Sequence, residues 1–223
     1  MNRELLRLLA LSSSDPAFAV PGLQILVAPE ADPRSDVIPA HNSRRDARLM
    51  ATLDAQLMSL GVRGYERLVA QVLCACGYED VRVLRDHARE RKSHKGRTDH
   101  GGADLRAALK SEFGASPVLV QAKRYAYPVS RRFVDELRGA LIRGRAREGV
   151  LITTSTFPPA AREAALQDHL APVRLLDGAQ FKALLVQHGL GVKRNRRGRL
   201  VVRRRFFRRL DLAPITVAQS SAL

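Results

Sequence analysis

Apolar residues along this chain recur with two different periods, and the changes of period mark out its elements. Leu49, Leu53, Leu57 and Leu60 are spaced three or four apart, predicting a helix that opens at Ser43, with Asp46 in its first turn, and runs to about Leu60. The stretch from Tyr65 to Cys76 repeats the pattern, with Leu68, Val69, Val72, Leu73 and Cys76 inward and Gly77 as a stop. Val81–Leu84 reads as a short strand. Asp104–Leu109 and Pro117–Tyr125 read as strands joined by a turn near Gly114-Ala115-Ser116. Ser130 to about Arg147 returns to helical spacing, with Phe133, Leu137 and Leu141 on one face. Gly149–Thr154 is a continuous β-branched run of the kind buried on both faces of a sheet. Pro158-Pro159 opens a helix to about Leu170, Val173–Leu176 is a strand, and Ala179–His188 is a closing helix. Helix, three strands, then alternating helices and strands give a mixed α/β sandwich.

The flanks break this regularity. Residues 2–11 predict a short helix with Leu5, Leu6, Leu8 and Leu9, and residues 12–42 carry Pro16, Pro21, Pro29, Pro33 and Pro39, which predict an extended arm. Residues 193–209 hold ten Lys and Arg and no acid, interrupted by Leu200-Val201-Val202 and Phe206-Phe207. Those interruptions predict a basic hairpin in place of a wholly unstructured tail. The division expected is an N-terminal region over 1–60, a dense domain over 61–192 and a basic extension over 193–223.

Charge narrows the partner. Of 223 residues 45% are hydrophobic, enough for a core, but aromatics are 5% without tryptophan, so Leu, Val, Ala and Ile must fill it. The net charge of +16 calls for an anionic polymer or an acidic membrane surface. Nucleic acid is favoured and a membrane is not expected, because no basic amphipathic helix carries a bulky apolar face. Cys74 and Cys76 lie two apart on a helix and so point differently, which excludes a zinc site and suits a reducing compartment. The leucine run from Leu5 is short and broken by Arg7, unlike a signal peptide, so a cytoplasmic protein is expected.

The chemistry-bearing residues are Gly101-Gly102-Ala103-Asp104 and Val120-Gln121-Ala122-Lys123. Strand alternation puts Leu119, Gln121 and Lys123 on one face, with Val120 and Ala122 on the other. If the two strands form a hairpin, the Asp104 carboxylate lies beside Gln121. One carboxylate and one amide oxygen, completed by phosphate oxygens and water, suit Mg²⁺, with Mn²⁺ as the alternative. Lys123 would then sit where its charge stabilises a pentavalent anion. Taken singly, Asp104 is an ordinary turn acid and Lys123 a solvated strand lysine. Thr154 and Ser155 are expected to satisfy backbone groups, and the six histidines show no ligand spacing. Arg91, Lys92 and Lys95, within the basic segment 85–97 that leads into Asp104, are candidates for gripping nucleic acid, as are Arg124, Arg203, Arg204 and Arg205.

Tyr65-Glu66 in a helix, Gly77-Tyr78, Asp99-His100-Gly101-Gly102-Ala103-Asp104, Val120-Gln121-Ala122-Lys123-Arg124, Thr153-Thr154-Ser155-Thr156-Phe157 and Leu175-Leu176-Asp177-Gly178 occur in one order. This set resembles the Mrr-type restriction endonuclease catalytic domain of the PD-(D/E)xK nuclease superfamily, over about residues 62–190. Leu105 follows Asp104 where that family often has glycine. The resemblance implies a restriction-endonuclease-like mixed β-sheet flanked by helices. It implies Asp104 as metal-binding aspartate, Gln121 in place of the usual acid, Lys123 as catalytic lysine, and Glu66 as an accessory acid. Glu66 is expected in its helix's first turn, where the dipole favours an acid in any case. The function implied is Mg²⁺-dependent cleavage of double-stranded DNA, with a homodimer or transient pair to cut both strands. The competing reading is a non-catalytic DNA- or RNA-binding module on the same fold.

Overall fold

The computed structural model describes residues 40–84, 102–111, 114–167 and 171–212. The expected helix at 2–11, almost all of the proline-rich arm and the basic segment 85–97, with Arg91, Lys92 and Lys95, lie outside these residues. Two helices lead in: α1 (Ala40–Ser59) and α2 (Val62–Ala75). Next come β1 (Glu79–Val83), β2 (Leu105–Ser111), β3 (Gly114–Lys123), α3 (Arg131–Gly144) and β4 (Glu148–Thr153). Then follow α4 (Pro159–Ala165), β5 (Val173–Leu176), α5 (Gly178–Gln187), β6 (Val192–Arg194), β7 (Leu200–Val202) and α6 (Arg204–Leu212).

The central sheet runs β1-β2-β3-β4-β5. The first three strands are antiparallel neighbours, and β3-β4 and β4-β5 are parallel. Helices cover both faces, the mixed α/β architecture that the periodicity predicts. Leu105, Ala107, Val118, Val120, Val150 and Ile152 enter one core with α1, α2 and α5. Leu119, Leu151 and Leu175 enter another with α3 and α4. Adjacent strand residues thus face opposite layers, and β4 is apolar on both sides because both are buried.

Several boundaries differ from those read in the sequence. Helix α1 begins at Ala40, three residues before Ser43, so Ser43 lies inside the helix and is not its cap. The β2–β3 hairpin closes between Ser111 and Gly114, where Gly114 has φ +112° and starts the strand, not the turn. Helix α4 ends at Ala165, before Leu170.

The basic segment is a hairpin, β6–β7, followed by α6. Phe207 and Leu210 of α6 are buried in the core that holds Leu49, Leu53 and Leu57 of α1 and Leu68 and Val69 of α2. Gly191, at φ +72°, makes room for the Phe207 ring, since a Cβ there would fall 2.5 Å from it. The attachment is polar as well. Asp211 Oδ1 accepts from the backbone N–H of Gly61, the cap residue of α2, at 3.0 Å. A carboxylate at a helix N-terminus satisfies an orphan donor and complements the dipole. Arg67 of α2 donates in return to the Leu210 carbonyl. No described helix is long and apolar enough to cross a membrane.

Candidate active site

The site forms where β2 begins and β3 ends. Leu105 pairs with Val120, and one residue earlier the Asp104 backbone N–H donates to the Val120 carbonyl at 2.8 Å. The Asp104 carbonyl accepts from Leu84 N–H at 2.8 Å, tying β1 into the same junction. The Asp104 carboxylate then reaches across the strands, and its Oδ2 accepts from Ala122 N–H at 2.8 Å. Asp104 and Gln121 are both buried, at 3% and 1% exposure, so a fixed network orients each of them.

Gln121 is held from the opposite side. Its Nε2 donates to the Gly102 carbonyl at 2.7 Å. Gly102 has φ +100°, and a Cβ there would sit 3.2 Å from that same nitrogen. Glycine is therefore required for the conformation and for the close approach. With Nε2 so engaged, the buried Gln121 Oε1 has no hydrogen-bond partner among the described residues. A buried amide oxygen without a donor is costly, and a cation or a water would satisfy it. Among the described residues no group of three or more His, Cys, Asp and Glu gathers as a metal cluster. The donors at this junction are instead one carboxylate and one amide oxygen, both hard ligands that fit Mg²⁺ or Mn²⁺.

Lys123 shares Gln121's face, toward α3. Its Nζ lies 4.9 Å from the centre of the Phe133 ring, within cation–π range. Tyr125 meets Phe133 edge-on at 5.8 Å and stacks on Tyr127 at 4.9 Å. The Tyr125 hydroxyl is held above its ordinary pKa by burial first, then by Tyr127 and the carboxylates of Glu136 and Asp104. Asp104 thus contributes negative potential at this aromatic wall.

The strand end is braced from β4. Thr153 Oγ1 donates to the Lys123 carbonyl at 2.9 Å, and Thr154 Oγ1 donates to the Tyr125 carbonyl at 2.8 Å. Both hydroxyls serve backbone groups. Ser155 N–H donates to Thr153 Oγ1, and the Ser155 carbonyl accepts from Gly178 N–H at 2.7 Å. A Cβ on Gly178 would lie 2.1 Å from the Thr154 carbonyl oxygen, so only glycine lets α5 start here. Asp177 caps that helix through Ala179 and Gln180 N–H, in a capping box with Gln180. The Thr-Thr-Ser and Leu-Leu-Asp-Gly motifs therefore act as scaffold for the end of β3.

Glu66 sits in the second turn of α2, because that helix starts at Val62 and not at Tyr65; its first turn carries no acid. It is 3% exposed on a helix that packs against β1, β2 and β3. The dipole therefore does not account for an acid here. Arg124 turns the other way: its Nη1 donates to the Met58 carbonyl in the last turn of α1 at 2.8 Å. Burial pushes the Tyr65 phenol upward, and the Arg124 charge partly offsets this. Arg203, Arg204 and Arg205 are exposed around the start of α6, in the layer across the sheet from α3. Sequence reasoning missed Tyr125 and Phe133 as neighbours of Lys123. Continuing the alternation from 123 to 125 would have found the first.

The family model described as Restriction endonuclease, the Mrr catalytic domain, matches residues 57–185. The chain belongs to the Mrr-type restriction endonuclease family. Asp104, directly before β2, and Gln121 and Lys123 of β3 all lie within the matched residues. The chain is 30% identical over 194 residues to the type IV methyl-directed restriction enzyme EcoKMrr of Escherichia coli K12. That match spans 79% of this Mrr-type chain and 60% of the Escherichia coli protein. Two solved structures are also similar. MspJI restriction endonuclease in complex with a 27-mer oligonucleotide is 24% identical with a TM-score of 0.43, over 66% of this chain and 32% of its own. The DNA modification-dependent restriction endonuclease AspBHI is 19% identical with a TM-score of 0.49, over 71% of this chain and 40% of its own.

Proposed function

We propose that this Mrr-type chain hydrolyses phosphodiester bonds of double-stranded DNA, with Mg²⁺ or Mn²⁺ as cofactor. The observation that carries the reading is the β2–β3 junction. There Asp104 Oδ2 is locked onto Ala122 N–H while the adjacent Gln121 keeps a buried oxygen with no hydrogen-bond partner among the described residues. Asp104 and Gln121 would hold the cation, and Glu66 would act as an accessory acid. When bound, the cation supplies positive charge to the scissile phosphate. Lys123, kept in place by Phe133 and by the Thr153 brace on its carbonyl, directs an ammonium N–H toward the attacking water or a phosphoryl oxygen. Charge placed where the pentavalent anion forms stabilises the transition state more than the ground state. Water adds to phosphorus, the P–O ester bond breaks, and one phosphate monoester and one hydroxyl end result.

A neutral glutamine contributes one charge fewer than an acid, so metal binding to the free protein should be weak and should tighten with DNA phosphate present. Cutting both strands calls for two such sites, hence a homodimer or a transient pair. The two unpaired cysteines, Cys74 and Cys76, fit a cytoplasmic setting. Plasmid nicking with Mg²⁺ or Mn²⁺ tests the proposal. Asp104→Ala and Lys123→Ala should each lose on the order of 10²-fold or more. Full activity in both variants would refute it, and metal-independent binding without cleavage under any divalent cation would favour a DNA-binding module.

A further inference from the structure

An open groove of about 630 Å³ separates the start of α1 from the β6–β7 hairpin. Arg48 enters it from α1, Arg194 and Arg199 from the hairpin and Arg204 from α6, beside Arg45 and one acid, Asp46. Arg48, Arg194, Arg199 and Arg204 form no ion pair among the described residues. The hairpin that presents two of them is internally fixed. Asn195 Oδ1 accepts from Arg197 and Arg199 N–H at 2.9 and 3.0 Å, and Arg194 Nη1 donates to the Gly198 carbonyl at 2.6 Å. Gathering like charges at this density is unfavourable unless an anion neutralises them.

We propose that this groove is a second DNA contact, a clamp on the phosphodiester backbone of the duplex that is cut at Asp104 and Lys123. The proposal rests on the reading of the chain as a nuclease for double-stranded DNA and names where that duplex is gripped away from the chemistry. Two features select the ligand. Guanidinium groups on a preset turn suit phosphate oxygens. Among the described residues no aromatic ring lines the groove, so they offer no platform for unpaired bases, as a single-strand site would.

Its position agrees with one continuous duplex. Arg124, next to Lys123, is bonded to Met58 at the end of α1, whereas Arg48 lies ten residues earlier on the same helix. Ten helical residues span about 15 Å. At about 3.4 Å per base pair that is roughly four to five base pairs. Measured along α1, the groove is thus offset from the strand end that carries Arg124 and Lys123 by less than one turn of DNA.

Fluorescence anisotropy of a labelled duplex in EDTA, across a salt series, tests this without any cleavage. The combined variant Arg48→Gln, Arg199→Gln and Arg204→Gln should bind about 10-fold or more weakly, with a log–log salt slope shallower by roughly 2 to 3, since each lost phosphate contact removes about 0.9. Arg145→Gln with Arg147→Gln, exposed where β4 begins at the far end of the sheet from Lys123, is the control and should bind like wild type. An unchanged slope in the groove variant, or an equal loss in the control, overturns the clamp while leaving the nuclease reading intact. Structured RNA displacing the duplex more effectively than duplex competitor overturns the assignment to DNA. A wild-type chain that binds no duplex in EDTA overturns the clamp, and one that also binds none with Ca²⁺ present overturns the nuclease reading with it.

Discussion

Gln121→Glu restores an acid where the family pattern usually has one, and the structure fixes what this should cost. In the wild type, Nε2 donates to the Gly102 carbonyl at 2.7 Å inside a site that is 1% exposed. A carboxylate in that place offers no donor, so a hydrogen bond is lost and two acceptors face each other, costing about 1–3 kcal/mol. It also brings a second negative charge beside Asp104. At a cross-strand separation of about 5 Å and an effective dielectric near 20, repulsion adds roughly 3 kcal/mol. The variant should therefore be less stable by about 4–6 kcal/mol at pH 8 without metal, judged from these two contributions. Protonation reverses most of the loss, because a carboxylic acid O–H can donate to Gly102 as the amide does. The introduced carboxyl thus has a folded-state pKa above its unfolded value of about 4.3. Its favourable contribution is complete below the unfolded pKa and is lost as pH rises through the folded one. Urea denaturation at pH 5 and pH 8, with and without Mg²⁺, checks the argument. The deficit should be large only at pH 8, and Mg²⁺ at about 100 times its Kd should return about 2.7 kcal/mol. A deficit equal at both pH values, or indifferent to Mg²⁺, would refute both the geometry and the metal assignment.

Two further outcomes follow from packing and burial. Phe207→Ala empties a side chain that is 1% exposed between α6, α1 and α2, and should cost about 3–5 kcal/mol in a denaturant or thermal melt of the full chain; a loss under about 1 kcal/mol would mean that the basic segment is not part of the core. Burial pushes the Cys76 thiol from 9.0 up to about 11, and the Tyr65 and Tyr78 phenols upward too. Each folded pKa is raised, so their contribution is full below the unfolded values and lost on going higher. Stability should decline between pH 9 and 11, and Cys76→Ala should make that decline shallower in urea midpoints.

The sequence was legible where one local rule decides the structure. Alternation placed Gln121 and Lys123 on one face and Val120 and Ala122 on the other, and the cores divide along that line through Leu119 and Val120. The hairpin that brings Asp104 to β3 was equally readable, because two polar-ended apolar runs with a glycine between them leave few alternatives. What escaped was decided at long range. Nothing near Gly61 announces that its cap is Asp211, and nothing near Lys123 announces that Thr153 and Phe133 will hold it. In residues 193–212 the density of arginine masked a short amphipathic helix, although Phe207 and Leu210 at i, i+3 were its signature. The start of α2 at Val62 was missed because Gly64 reads as a helix breaker. The glycine is needed there: a Cβ would lie 2.0 Å from Asp211 Oδ1.

That reciprocal attachment of α6 to α2 also orders events in time. Gly61 and Asp211 are 150 residues apart, and closing so long a loop is entropically slow compared with forming the β2–β3 hairpin. During synthesis α2 emerges early and must wait, its N-terminus uncapped and Leu68 and Val69 short of their α6 partners, until residue 211 has left the ribosome. The helix that carries Glu66 therefore gains its last supports only after both strands bearing Asp104 and Lys123 already exist. Maturation of the acidic site is tied to the far end of the folded core, and a chain interrupted before α6 would carry the site's residues without the bracing that α6 gives to α2.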